Sequence, residues 1–163
     1  MTDSSFIHIG VVHSPLKQHS EAPIQPKYSE HEGEIEIFPE YAPGLKDIDG
    51  FSHITVVFVF HHSTQYELLT YPYMGNEKRG VFATRSPYRP NPIGISVLRL
   101  LSVDGNRLKV KGLDMLDGTP VLDIKPYVPG FVKSEGDVRI GWLKNRPETT
   151  GGVKSKRDRK LER

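Results

Sequence analysis

The run HITVVFVF at residues 53–60 constrains the fold more than any other stretch. It is almost entirely β-branched or aromatic, too short for a core helix, and built of side chains that suit a pleated strand. Its near-continuous apolar character predicts a central strand covered on both faces. Shorter strands are predicted at 6–12, 34–38, 79–84, 93–103 and 121–125, with a hairpin turning at Asp104-Gly105. Helical signals are few. A short helix is expected within 39–51, where Pro39 opens a segment carrying Tyr41, Leu45 and Ile48. Residues 65–76 are ambiguous, and 140–143 reads as either strand or helix. With 15 Gly and 13 Pro punctuating about seven strands, and no repeat period, the chain is expected to be mainly β. The expected architecture is a single-domain β-barrel or strongly curved mixed sheet with short helical segments, not a Rossmann fold.

The 163 residues suit one domain. No apolar run approaches the roughly 18 residues of a membrane helix, and MTDSSFIHIG lacks the charge and apolar pattern of a secretory signal. The absence of cysteine excludes disulfides, thiol catalysis and Cys-ligated zinc, and fits the cytoplasm, where the protein is expected. The net charge of +2 is uneven. The last ten residues, KSKRDRKLER, hold six Lys/Arg against two acids, whereas the rest of the chain is slightly acidic. This tail is either a solvated end or an attraction for RNA phosphates.

The chain carries no GxGxxG after a strand, no GxxxxGK[ST], no HExxH and no GxSxG. Instead, ATRSPYRPNPIGIS at 83–96 mounts Arg85, Arg89 and Asn91 among three prolines. A guanidinium on a stiff loop suits a carboxylate or phosphate, and rigidity lowers the entropy lost on binding. The same arginines could equally tie down internal acids or carbonyls. Asp117-Gly118-Thr119-Pro120 reads as a tight turn, although with Asp114 and Asp123 nearby its carboxylate could take ribose hydroxyls or a basic partner. His61 and His62 end the central strand; alternation puts them on opposite faces, which argues against a shared metal, and no metal is expected.

Taken together, PIQP (23–26), DIDGFSHI (47–54), VFVFHHS (57–63), VFATRSPYRPNPIGIS (81–96) and LDGTPVLDIKPYVP (116–129) resemble the TrmO family, also called TsaA-like or YaeB-like. The resemblance runs from about residue 6 to 130. It implies an S-adenosylmethionine-dependent methyltransferase acting on N6 of threonylcarbamoyl-adenosine beside the tRNA anticodon, built on a β-barrel and homodimeric. The implied domain spans 1–147, followed by the basic, disordered tail 148–163. Many bacterial members continue into an additional C-terminal domain, so the chain resembles the short forms. The implied cofactor contacts are Gln25, Pro26, Lys27, His61, His62, Arg85, Ile95, Asp117, Gly118, Thr119 and Pro120. An arginine suits the cofactor's carboxylate, an Asp or backbone amides its ribose, and Ile95 with the prolines its adenine.

Methyl transfer from an activated sulfonium asks mainly for alignment, with the nitrogen about 3 Å from the methyl carbon. A neutral acceptor for the departing proton is expected at Asn91, with Asp123 as the alternative. Arg89, Lys125 and Tyr127 are the expected holders of RNA phosphate or of the threonylcarbamoyl carboxylate. A module that binds the cofactor without this reaction is the alternative reading. A bare RNA platform fits less well, because the strands show no row of exposed aromatics.

Overall fold

The computed structural model describes residues 5–145, apart from 19, 23–28 and 73–74. Six strands form a closed barrel: β1 (Gly10–His13), β2 (Glu32–Ile37), β3 (His53–Val59), β6 (Ile93–Asp104), β7 (Arg107–Lys111) and β8 (Pro120–Pro126). Their order is β1-β2-β7-β6-β3-β8, and every neighbouring pair is antiparallel. Closure removes the open edges that a sheet this rich in β-formers would otherwise expose. Two short strands, β4 (Leu69–Thr70) and β5 (Arg79–Gly80), pair in a separate arm between β3 and β6.

The expected barrel is therefore present, with differences of detail. The run at 53–59 is central but alternates: Ile54, Val56 and Phe58 are buried, while Thr55, Val57 and Val59 on the outer face are half-buried. The barrel has one interior, so a strand needs only one fully apolar face. The segment at 79–84 is not a strand throughout; it pairs over two residues and then winds into a 3-10 turn at Val81–Ala83. The segment at 39–51 gives two 3-10 stretches, Pro39–Leu45 and Ile48–Gly50, because Pro43 lacks the N–H a longer helix would need. A further 3-10 turn, Gly141–Asn145, resolves the ambiguity at 140–143.

The interior is filled by Val12, Ile35, Ile54, Val56, Phe58, Leu98, Leu108, Val110 and their neighbours. Gly94 faces Phe58 across the β3–β6 ladder, and the Phe58 ring occupies the space beside it. A Cβ at position 94 would lie 2.3 Å from Phe58 Cζ. Among the described residues no helix is long and apolar enough to cross a membrane. Gly94→Ala is expected to cost about 1–3 kcal/mol through this overpacking, read as a lower urea midpoint with an unchanged m-value.

Candidate functional site

Antiparallel order decides which loops meet. The C-terminal ends of β1, β3 and β7 and the N-terminal ends of β2, β6 and β8 lie at one end of the barrel. The connections 14–31, 60–92 and 112–119 therefore share that rim. They contain nearly every expected cofactor contact. Gln25, Pro26 and Lys27 belong to the first of these connections but lie outside the described residues, as does the tail 148–163.

His61 and His62 sit in a turn beyond Val59 rather than on the strand, so strand alternation does not apply to them. Their rings lie 4.0 Å apart at 42°, on the same side, which corrects the expectation of opposite faces. Burial and the neighbouring His62 hold the His61 imidazole below its ordinary pKa. Thr119 Oγ1 lies 3.5 Å from His61 Nδ1. No group of three or more His, Asp or Glu able to hold a metal occurs among the described residues.

The Asp117 turn is stitched to the start of the first connection. Ser14 N–H donates to Asp117 Oδ1 at 2.9 Å, and Lys17 Nζ lies 2.6 Å from Oδ2. Lys17 and the Ser14 amide hold the Asp117 carboxyl below its ordinary range. Its backbone is also engaged: Asp117 N–H donates to Leu16 O, and Gly118 N–H to Val12 O. The Asp117 carboxylate thus serves the turn, with Lys17 as the basic partner. The left-handed backbone at Gly118 (φ 77°) brings the turn close to His61, whose Nε2 is 3.9 Å from where a Cβ would stand. Pro120 starts β8 immediately beyond.

The two loop arginines divide their roles. Arg89 Nη1 donates to the carbonyls of Thr84 (3.2 Å) and Ser86 (3.4 Å), so it braces the loop. The loop is further pinned by Ser63 Oγ to Pro87 O and by Phe60 N–H to Pro92 O. Arg85 is exposed and has no hydrogen bond or ion pair among the described residues. It lies within electrostatic reach of Asp114. Asn91 is exposed, and its carbonyl accepts the Ile93 amide.

The remaining expected residues are not gathered at the rim. Ile95 (54% exposed) and Asp123 both face outward, one on either side of Val57. Asp123 is ion-paired to Lys125 at 2.7 Å. Lys125 and Tyr127 lie at the far end of β3, where Lys125 pairs with Thr55 and Tyr127 meets the His53 ring. At about 3.3 Å per residue, Lys125 lies about 13 Å and Tyr127 about 20 Å along β3 from its rim end.

Sequence reasoning did not single out Ser96. It faces the barrel interior between Gly94 and Leu98, and its hydroxyl donates to Asp114 Oδ1 and Oδ2 at 2.8 and 3.0 Å. The alternation of 93–103 marks it, since a lone inward hydroxyl must find a partner. Burial pushes the Asp114 carboxyl up to about 6, against the opposing pull of the Ser96 hydroxyl and the Arg85 charge.

A closed six-stranded antiparallel barrel sets the protein apart from Rossmann enzymes. Residues 11–132 match the tRNA-methyltransferase O N-terminal domain, and the chain belongs to the TrmO family. It is 56% identical over 136 residues to a probable S-adenosyl-L-methionine-binding protein of Pyrococcus abyssi, covering 83% of this chain and 73% of that one. It is 39% identical over 158 residues to the tRNA (adenine(37)-N6)-methyltransferase of Escherichia coli, covering 90% and 67%. The solved structure of TrmO from Pseudomonas aeruginosa superposes with a TM-score of 0.74 at 37% identity, covering 91% of this chain and 66% of that one. The chain thus spans just under two thirds of that solved TrmO.

A folded-state pKa of about 6 for Asp114 means the native protein keeps a proton that the unfolded chain releases near 4. That stabilisation is complete below about pH 4 and is lost as pH rises through 6. The loss amounts to about 3 kcal/mol. The difference in unfolding free energy between Asp114→Asn and the wild type is expected to shift in favour of the variant across this window, and urea titrations at pH 4, 5, 6 and 7 check it.

Proposed function

We propose that this chain is an S-adenosylmethionine-dependent methyltransferase acting on N6 of adenosine beside the tRNA anticodon, with threonylcarbamoyl-adenosine as the acceptor. One observation carries the reading: the connections 60–92 and 112–119, which hold the HHS, RSPYRPNP and LDGTP strings, share one barrel end, where Thr119 lies beside His61. The names of the E. coli relative and of the solved P. aeruginosa TrmO support the reaction.

The described residues fit the cofactor. Arg85 offers an unpaired guanidinium for its carboxylate. The Gly118–Thr119 turn presents backbone and hydroxyl groups for a ribose. The paired rings of His61 and His62 offer flat surfaces for a ligand ring. When bound, S-adenosylmethionine supplies an activated methyl group. The protein's task is then to align the acceptor nitrogen and exclude water. Asn91, exposed at the entry to β6, is the proposed hydrogen-bond acceptor for the N6–H, whose proton would leave to solvent as the N–CH3 bond forms. Asp123 is less suited, because its charge is already compensated by Lys125. Arg89 braces the loop that carries Arg85 and stands near any phosphate held there. Lys125 and Tyr127 are assigned to RNA backbone beyond the reacting nucleotide.

A cytoplasmic homodimer accompanies this reading. Leu68, Leu69 and Phe82 are 59–77% exposed on the β4–β5 arm, where the Val81 amide binds Leu68 O. Such a patch on one arm fits a second copy of the chain. Sedimentation is expected to show a dimer that Phe82→Asp dissociates. A second reading, a cofactor-binding module without this transfer, is favoured by the name of the Pyrococcus relative.

Labelled S-adenosylmethionine, incubated with the protein and tRNA from cells able or unable to make threonylcarbamoyl-adenosine, separates the two. Label is expected in the modified tRNA alone. Tight cofactor binding with no label in either pool favours the binding module. Arg85→Ala is expected to weaken cofactor binding about tenfold, the scale of one charge-assisted hydrogen bond, measured by calorimetry with the melting temperature unchanged.

A further inference from the structure

We propose that the chain beyond the barrel is a tether, anchored by Trp142, that returns to the rim and holds the basic tail there as a second contact for RNA phosphates. The inference rests on the tRNA reading above and adds to it a surface outside the family domain of 11–132. β8 ends away from the rim, where the Tyr127 amide donates to His53 O at the start of β3. A 3-10 turn follows at Pro129–Phe131. Yet Trp142, in the 3-10 turn Gly141–Asn145, donates its indole N–H to the Ala83 carbonyl at 2.8 Å. Ala83 belongs to the rim connection 60–92 and stands two residues before Arg85. Between Phe131 and Trp142 the chain therefore climbs about the length of β3, roughly 20 Å. Eleven residues, which can span at most about 35–40 Å, are enough for that.

Burial shows where this stretch is fastened. Residues 129–141 are all exposed, Phe131, Val132 and Val138 at 67–85%, whereas Trp142 is half-buried and 143–144 are exposed again. A segment this bare has little packing of its own, so its course is fixed where the indole engages. The Arg79 guanidinium of β5 lies over the Trp142 ring, 5.8 Å from its centroid, and adds a cation–π contact to the hydrogen bond. The residues after Asn145 are thereby attached beside the loop that bears Arg85 and Arg89. Their sequence supplies charge: 154–163 hold six Lys/Arg against two acids, while the rest of the chain is slightly acidic. Nine residues separate Lys154 from Asn145, a reach of at most about 32 Å. The tail cations are thus confined to the neighbourhood of the rim, which raises their effective concentration for RNA already engaged there. Released at Trp142, the same tail would be attached only at the far end of the barrel.

The test measures tRNA binding by the full chain as a function of salt, with S-adenosylhomocysteine affinity as a control on the rim. Replacing Lys154, Lys156, Arg157, Arg159 and Lys160 with Gln is expected to weaken tRNA binding and to lower the slope of log K against log salt by about 2–4. Trp142→Ala keeps every tail charge and is expected to weaken tRNA about five- to tenfold. Trp142→Phe, which keeps a ring for Arg79 but loses the N–H, is expected to cost less. In the tail-neutralised protein Trp142→Ala is expected to cost little more, because both changes act on one contact. Every variant is expected to bind S-adenosylhomocysteine within about twofold of wild type, since the anchor serves the tail and not the cofactor. An unchanged salt slope after neutralisation, an additive loss in the combined variant, or a loss of S-adenosylhomocysteine affinity in Trp142→Ala would overturn the assignment. Failure of the wild-type protein to bind tRNA would instead overturn the tRNA reading, and this inference with it.

Discussion

The structure depends on closing six strands with every neighbour antiparallel. In such a barrel, successive connections alternate between the two ends. That constraint sends 14–31, 60–92 and 112–119 to one rim, although they are separated by up to a hundred residues in sequence. Closure at β1–β8, where Gly10 faces Val121 and Val11 faces Pro120, then draws the Asp117 turn onto Ser14 and Lys17. Apart from the short β4–β5 pair and the 3-10 turn that follows it, the described rim is held by bonds between loops and to the strands below: Gly118 N–H to Val12 O, Phe60 N–H to Pro92 O, and Ser63 Oγ to Pro87 O. Backbone groups that a ladder would have paired are satisfied this way.

The interior shows how little polarity the barrel admits. Among the described strand residues its lining is mainly Val, Ile, Leu and Phe, with Ser96 as a buried polar side chain. A buried hydroxyl without a partner costs free energy, so Asp114 is drawn inward far enough to resist ionisation. Positions that break the apolar rule are where sequence-level patterns yield to function. Here the break is Ser96, which faces Asp114 on the 112–119 connection.

Much of the fold was legible because alternation and turn chemistry agree. The strand at 53–59, the hairpin at Asp104-Gly105 and the Asp117-Gly118 turn all stand where their residues place them. The site was legible as a set of strings, since glycines, prolines and arginines in fixed order are local features. What was not legible is three-dimensional. The side-by-side approach of His61 and His62 depends on the chain leaving the ladder at Phe60. The outward placement of Asp123 depends on register, which an extra residue at Leu122 shifts between Val57 and Phe58, whereas Ile95 faces out by the plain alternation of β6. The capture of Asp117 by Lys17 joins residues a hundred positions apart, and no local pattern encodes it.

Charge placement on the outer wall bears on how a polyanion would approach. Along β2 and β7, acids and bases face each other: Arg107 reaches Glu34 and Glu36, Lys109 reaches Glu32, Lys111 reaches Glu30, and His13 reaches Glu36. Exposed pairs of this kind contribute little stability each, typically under about 1 kcal/mol. Their consequence lies in the field. A wall on which each cation already faces a carboxylate offers phosphates little net attraction, and salt screens what remains within about a Debye length. The rim is mixed: Lys17 faces Asp117 and Arg79 faces Glu77, whereas Arg89 faces the carbonyl dipoles of Thr84 and Ser86 and Arg85 has no ion pair among the described residues. The cations of the 83–96 loop therefore carry charge that no direct carboxylate partner matches, in contrast to those of the β2–β7 wall.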